Sequence, residues 1–225
     1  MISTIVLASA MQLQVPNIPA DAEVIIPQTP HVRATGMELD RQLHSVTYTM
    51  TKTEVKVETL TLYKNMSSNG GTATVSLGFT GFRHYGAESV KPTVKWSDKA
   101  VAESTRVSTK MPGNSVMMSA MFDVEVKPNA THSLRTTFTI PVGKAGIDRE
   151  ERIVAYDVSP NKKDPNLKDF HFAIKYKPEV VFSPIGTKPD NWGWQVGASG
   201  AFIGKENAKF DKRQVFTFRF YPGGF

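Results

Sequence analysis

Apolar side chains in this chain recur at every second position, and that period decides the fold class before any other feature. Val116, Met118, Ala120, Phe122, Val124 and Val126 fall on successive even positions, with Ser119, Asp123 and Glu125 between them. Successive side chains of an extended chain point to opposite faces, so this run is a strand with one buried face. Leu134, Thr136, Phe138 and Ile140 repeat the pattern against Arg135, Thr137 and Thr139. The linker Lys127-Pro128-Asn129-Ala130-Thr131 is rich in turn formers, and the two runs are predicted to pair as an antiparallel hairpin. Phe170, Phe172, Ile174 and Tyr176 alternate in the same way, as do Phe216, Phe218 and Phe220.

Residues 45–64 are rich in Thr and Val, but their apolar phase shifts. Val46, Tyr48 and Met50 are even, Val55 and Val57 odd, Leu60 and Leu62 even again, which predicts bulges or breaks near Lys52 and Glu58. Residues 72–79 follow Asn69-Gly70-Gly71, a strong turn signal. Helical spacing is scarce. The best stretch, 98–107, offers only Val101 and Val107 and no sustained stripe, so at most one short helix is expected.

About a dozen strands separated by turns define an all-β chain: an antiparallel two-sheet β-sandwich, or two such sandwiches in series, with little or no helix. The chain's 225 residues are enough to bury a core without covalent staples. A boundary is expected across 142–151, where two glycines and five charged residues follow a finished strand, giving one part over 31–142 and another over 151–225, or one continuous domain. Residues 11–30, with four prolines, read as an extended leader or an edge strand rather than a central one.

Residues 1–10, MISTIVLASA, carry no charge, hold a short apolar run and end in Ala8-Ser9-Ala10, the small-x-small form of a signal-peptidase site. No Lys or Arg precedes the run. The segment is nonetheless read as a signal peptide, which predicts an extracytoplasmic protein: periplasmic, cell-surface or secreted. The complete absence of cysteine excludes disulfides, thiolate metal sites and a cysteine nucleophile, and fits bacterial export.

Residues 122–143, FDVEVKPNATHSLRTTFTIPVG, join a strand ending in an apolar-x-Pro-Asn turn to a second strand ending in Pro. Residues 93–101, TVKWSDKAV, have the form of a short preceding hairpin. Together these segments, about a third of the chain, resemble bacterial extracytoplasmic β-sandwich proteins of unknown function. The resemblance implies a fold and a compartment and carries over no catalytic residue.

Chemistry-bearing motifs are sparse. There is no phosphate-binding G-x-x-x-x-G-K-[ST] loop, and Gly197-Ala198-Ser199-Gly200 lacks the spacing of a nucleophile elbow. His31, His44, His84, His132 and His171 are scattered without ligand-pair spacing, and Asp148, Glu150 and Glu151 are interleaved with Arg149 and Arg152 without the order of a calcium loop. No catalytic set, metal site or cofactor is therefore expected. Asp169 and His171, two apart on a strand, share a face, which more often makes a surface pair than a proton relay.

The feature with most binding potential is Asp190-Asn191-Trp192-Gly193-Trp194-Gln195. On an extended segment Trp192 and Trp194 would face the same way and could stack on a sugar ring while Asp190, Asn191 or Gln195 bonds hydroxyls. The competing reading puts both indoles at one end of the core. Lys205, Lys209, Lys212, Arg213 and Arg219 lie among Phe202, Phe210, Phe216, Phe218 and Tyr221, a mixture that a single-strand nucleic-acid groove would use. Strict alternation marks Phe216, Phe218 and Phe220 as core instead, so nucleic acid is not an expected partner. The net charge of +6 allows at most peripheral attraction to anionic surfaces. The expectation is an exported, non-enzymatic binding or structural module of the cell envelope with a protein or glycan partner. The alternatives are a carbohydrate-recognition module using an aromatic platform, and a surface or particle assembly subunit.

Overall fold

The computed structural model describes residues 15–83, 86–146, 150–158, 166–210 and 212–223. The signal-like segment 1–10 lies outside them, as do His84, Asp148 and Arg149. In chain order the strands are β1 (Ile25–Pro27), β2 (His31–Ala34), β3 (Leu39–Met50), β4 (Glu54–Asn65), β5 (Gly71–Gly81), β6 (Thr93–Trp96), β7 (Lys99–Val101), β8 (Thr105–Met111) and β9 (Ser115–Val126). They continue with β10 (Thr131–Pro141), β11 (Gly143–Lys144), β12 (Arg152–Val158), β13 (Asn166–Lys175), β14 (Val181–Lys188), β15 (Gln195–Gly197), β16 (Gly200–Lys209) and β17 (Gln214–Pro222). Helix among the described residues is confined to two three-residue 3-10 turns, at Ala87–Ser89 and Asp190–Trp192. The stretch 98–107 holds no helix and instead contributes β7 and the start of β8.

One layer of the sandwich is an eight-stranded sheet in the order β15-β16-β13-β3-β4-β10-β6-β7. Facing it are two smaller sheets. One runs β1-β5-β9-β8 with β2 also on β5, and the other runs β11-β12-β17-β14. The two touch where Gln28 bridges Asp157 and Thr29 N–H donates to the Asp157 carbonyl. All named pairings are antiparallel except β13 with β3, which run parallel. That pair places the chain after residue 151 in the same sheet as the chain before residue 142.

Rings meet across the gap. Phe79 of β5 meets Phe138 of β10 edge-on at 4.9 Å, Tyr48 of β3 meets Tyr156 of β12 at 6.3 Å, and Tyr176 stacks on Phe218 of β17 at 5.5 Å. Such pairs fill a core with large apolar area in a defined geometry. The second face of β12 and β17, with Ile153, Ala155 and Val215, is covered by Val15, Ala22, Val24 and Ile26 of the proline-rich leader together with Phe82.

The alternating runs form strands as expected, but the pairing of two of them differs. Residues 116–126 and 134–140 do not make a hairpin: β9 pairs with β5 and β8, whereas β10 pairs with β4 and β6. The turn after Val126 carries the chain across the sandwich from one layer to the other. Alternation reports which face is buried, and in a hairpin and in this arch the same even positions face inward. The shorter segment 93–101 does form a hairpin, β6–β7, through Ser97 and Asp98 with φ of 48° and 64°.

The phase shift in 45–64 has a different cause from the one expected. The chain breaks at 51–53, near Lys52, but β4 runs through Glu58 without a bulge. Its odd positions stay buried throughout, and the inner face passes from Val55 and Val57 to Thr59, Thr61 and Tyr63. Leu60 and Leu62 lie on the outer face. The irregularity falls instead in β3, between Arg41 and Leu43, and lets both Arg41 and His44 face inward.

Candidate ligand-binding surface

Three places could hold chemistry: a polar network inside the sandwich, the tryptophan segment, and the outer face of the large sheet. The network is built on the shifted inner face of β3. His44 is fully buried, its Nδ1 lying 2.8 Å from Thr61 Oγ1 and its Nε2 lying 2.7 Å from the Tyr156 hydroxyl. With the proton on Nδ1, Tyr156 donates to Nε2 and Nδ1 donates to Thr61, so both ring nitrogens are satisfied. Tyr48 donates to the Ala155 carbonyl at 2.7 Å, and the hydroxyls of Thr59 and Thr136 pair at 2.7 Å. Burial, with a smaller contribution from the Arg41 charge, holds the His44 pKa well below the usual histidine value. Burial pushes both phenols up, so they remain protonated donors. A neutral imidazole sealed from solvent ties two layers together and cannot exchange a proton with a substrate. Asp157, also fully buried, is bridged by Arg213 at 2.6 Å. Among the described residues no three His, Cys, Asp or Glu side chains converge on a point.

The tryptophan segment is not extended. Asp190–Trp192 forms a 3-10 turn, and Gly193 follows in the left-handed conformation at φ 70°, where a side chain would be strained. Both indoles turn in against the core. Trp192 stacks on Phe210 at 5.3 Å and meets Phe216 edge-on at 4.9 Å and Phe170 at 5.9 Å. The Lys205 ammonium sits 4.4 Å from its ring centroid, so the π surface that a sugar would cover is already in use. Trp194 packs on Phe172 at 5.7 Å, and its Nε1 is enclosed where no ligand hydroxyl can reach it. Asp190 is exposed and ion-paired with Lys188, and Asn191 is exposed beside it. Gln195 is the member of the group that belongs to a different surface.

On that surface Gln195 of β15 stands directly opposite Phe202 of β16. Phe202 is 40% exposed, while its strand neighbours Ala201 and Ile203 point into the core. Its ring folds back along the strand: a Cβ placed on Gly204 would come within 2.9 Å of Phe202 Cζ. Gly200 and Gly204 stand two residues to either side on the same face, and Ala173 of β13 is the partner across. A shallow recess of about 380 Å3 opens here, lined by Lys175, Gln195, Val196, Phe202 and small residues. The His171 ring lies 6.1 Å from Phe202. Asp169 lies two residues before His171 on the outer face and pairs in register with Glu206, so Asp169 and His171 border this surface without forming an isolated dyad. The sequence signal for Phe202 was an aromatic residue with glycine at i−2 and i+2 of a strand, a pattern that leaves its ring uncovered.

A second recess of about 400 Å3 lies beside the leader, lined by Val15, Pro16, Ile18, Phe82, Arg83 and the β8–β9 turn around Gly113. It offers one charged side chain, Arg83, among apolar walls. Of the other aromatics in the basic C-terminal stretch, Phe210, Phe216, Phe218 and Phe220 are buried and cannot stack on bases, while Tyr221 is exposed.

The chain is thus an all-β two-layer sandwich with an open aromatic recess on its largest sheet. No family model and no curated protein sequence matches it. Among solved structures it is similar to a Legionella pneumophila protein provisionally described as a nutrient binding protein, with a TM-score of 0.67 over 89% of this chain and 72% of that one, at 12% sequence identity. At that identity the likeness concerns the fold.

Proposed function

We propose that the chain is an exported, non-enzymatic sandwich module that binds its ligand on the outer surface of β13, β16 and β15. The observation that carries this reading is Phe202, a large ring left open to solvent and bordered by hydrogen-bonding side chains, whereas other phenylalanines of the same strands are core. The non-enzymatic part is supported by His44 and Tyr156, whose polar atoms are spent on each other inside the core. Export is supported by residues 1–10 and by the lack of cysteine. The description given to the Legionella neighbour agrees with a binding role.

A second reading, assembly by strand addition, draws on β8. This edge strand pairs only with β9 among the described strands, and six of its seven residues are exposed. β14, an edge strand of the four-stranded sheet, carries Pro184 and two register shifts, which discourage added strands.

Expressed from its native start in a bacterial host, the protein should lose about ten residues and leave the cytoplasm. N-terminal sequencing that returns Met1 or Ile2 from a cytosolic pool contradicts export. The purified protein should gain several degrees in unfolding midpoint with at least one member of a panel of amino acids, sugars and small organic acids, and should leave that compound chemically unchanged. Turnover of the compound, or no shift across the panel, contradicts the binding reading.

A further inference from the structure

We propose that Phe202 is a stacking platform for a neutral pyranose ring of a glycan; this rests on the binding reading above and names its ligand class. The ring lies back over Gly204 and is 40% exposed, which offers a π face to an apolar C–H face. Polar side chains surround it at the distances that a sugar's hydroxyls need. Gln195 is opposite on the neighbouring strand, about 5 Å away by sheet spacing, and His171 lies diagonally on β13 with its ring 6.1 Å from that of Phe202. Lys175, two residues beyond Ala173 on the same face, closes the recess on the other side. An amide, an imidazole and an ammonium can each bond a hydroxyl, the amide and imidazole as donor or acceptor.

Charge selects among ligands that stack on aromatic rings. A single-stranded nucleic acid or a polyuronate would need a cationic groove along its backbone. Along the outer face of β13 and β16, Lys175 stands at one end of the recess, and Asp169 and Glu206, directly across from one another, stand beyond Phe202 at the other end. A polyanion laid along the strands from Lys175 past Phe202 would run onto this carboxylate pair, whereas an uncharged chain of hydroxyls meets no such repulsion. Both carboxylates lie four residues along the strands from the Phe202–Ala173 pair, about 13 Å away.

The test is isothermal titration of the purified full chain with neutral hexasaccharides of glucose, mannose, xylose and N-acetylglucosamine, with oligoguluronate and oligo-dT as polyanion controls. At least one neutral oligosaccharide should bind. Phe202→Ala should weaken that binding at least about tenfold, and Phe202→Trp should retain it. Gly204→Val, which pushes the ring off its bed, should weaken binding with the aromatic still present. Because Phe202 is exposed, Phe202→Ala should keep the wild-type unfolding midpoint, so loss of binding is not loss of fold. Binding confined to the polyanions overturns the proposal, as does equal affinity in Phe202→Ala. Should no neutral oligosaccharide bind while another compound of the small-solute panel still raises the midpoint, the glycan proposal fails and the binding reading stands.

Discussion

Trp192→Ala is expected to destabilise the fold by roughly 3–5 kcal/mol. The indole contacts Phe170 of β13, Phe216 of β17 and Phe210 just after β16, three fully buried rings, and its removal leaves a cavity that those rigid side chains cannot collapse into. A loss of that size is a large share of the usual 5–15 kcal/mol of a single domain, so the variant should be marginal at 37 °C. Trp194→Ala, which removes contacts to Phe172 and Phe216 and also an enclosed indole N–H without a partner, should cost less. Denaturant unfolding of the two variants beside Phe202→Ala checks the assignment. Two tryptophan variants with wild-type stability and lost glycan binding would return the platform to the tryptophan pair.

Acid should weaken the protein well above the carboxylate range, and His44 should be the main cause. Above about pH 6.5 the ring is neutral in both folded and unfolded chains and contributes no pH dependence. Below that value the unfolded chain takes up a proton that the buried imidazole refuses, since burial and then Arg41 lower its folded-state pKa. Stability is therefore full above pH 6.5 and falls as pH drops towards the folded-state pKa, with a slope approaching about 1.4 kcal/mol per pH unit. His132, stacked on Trp96 at 5.0 Å, and His31 are also lowered, chiefly by desolvation, and add to the same slope. Urea titrations between pH 7.5 and 5 measure it. In His44→Gln the slope should shrink by about one proton; an unchanged slope would mean that His44 already titrates in the folded state.

Strand identity was legible because alternation is a local signal: β9, β10, β13 and β17 could each be placed from their own residues. Partnership was not. Whether the chain turns back or crosses the sandwich after Val126 depends on what β5 and β4 offer as partners, and both lie more than forty residues earlier. The inner polar network was not legible for a related reason. Thr59, Thr61 and His44 look like outward residues by polarity, and only the hydrogen bonds from His44 to Thr61 and Tyr156, and from Thr59 to Thr136 of β10, offset the cost of burying them. At the candidate site, Gln195 was found for a reason that did not hold, since its neighbours in sequence turn away at Gly193 while its neighbour in space is Phe202. The glycines at 200 and 204 could have pointed to that ring, because in a strand it is the i±2 residues that cover a side chain.

In the proposed arrangement, core and ligand surface occupy opposite faces of β16, with Ala201 and Ile203 inside and Phe202 outside. Backbone amide shift mapping tests it most directly, by titrating the labelled protein with whichever neutral oligosaccharide binds. Perturbations should cluster on β13, β15 and β16 around Phe202, Gln195, His171 and Lys175, with the leader and the β8–β9 turn unmoved. A cluster at Phe82, Arg83 and Gly113 instead would place the ligand in the other recess and contradict the claim.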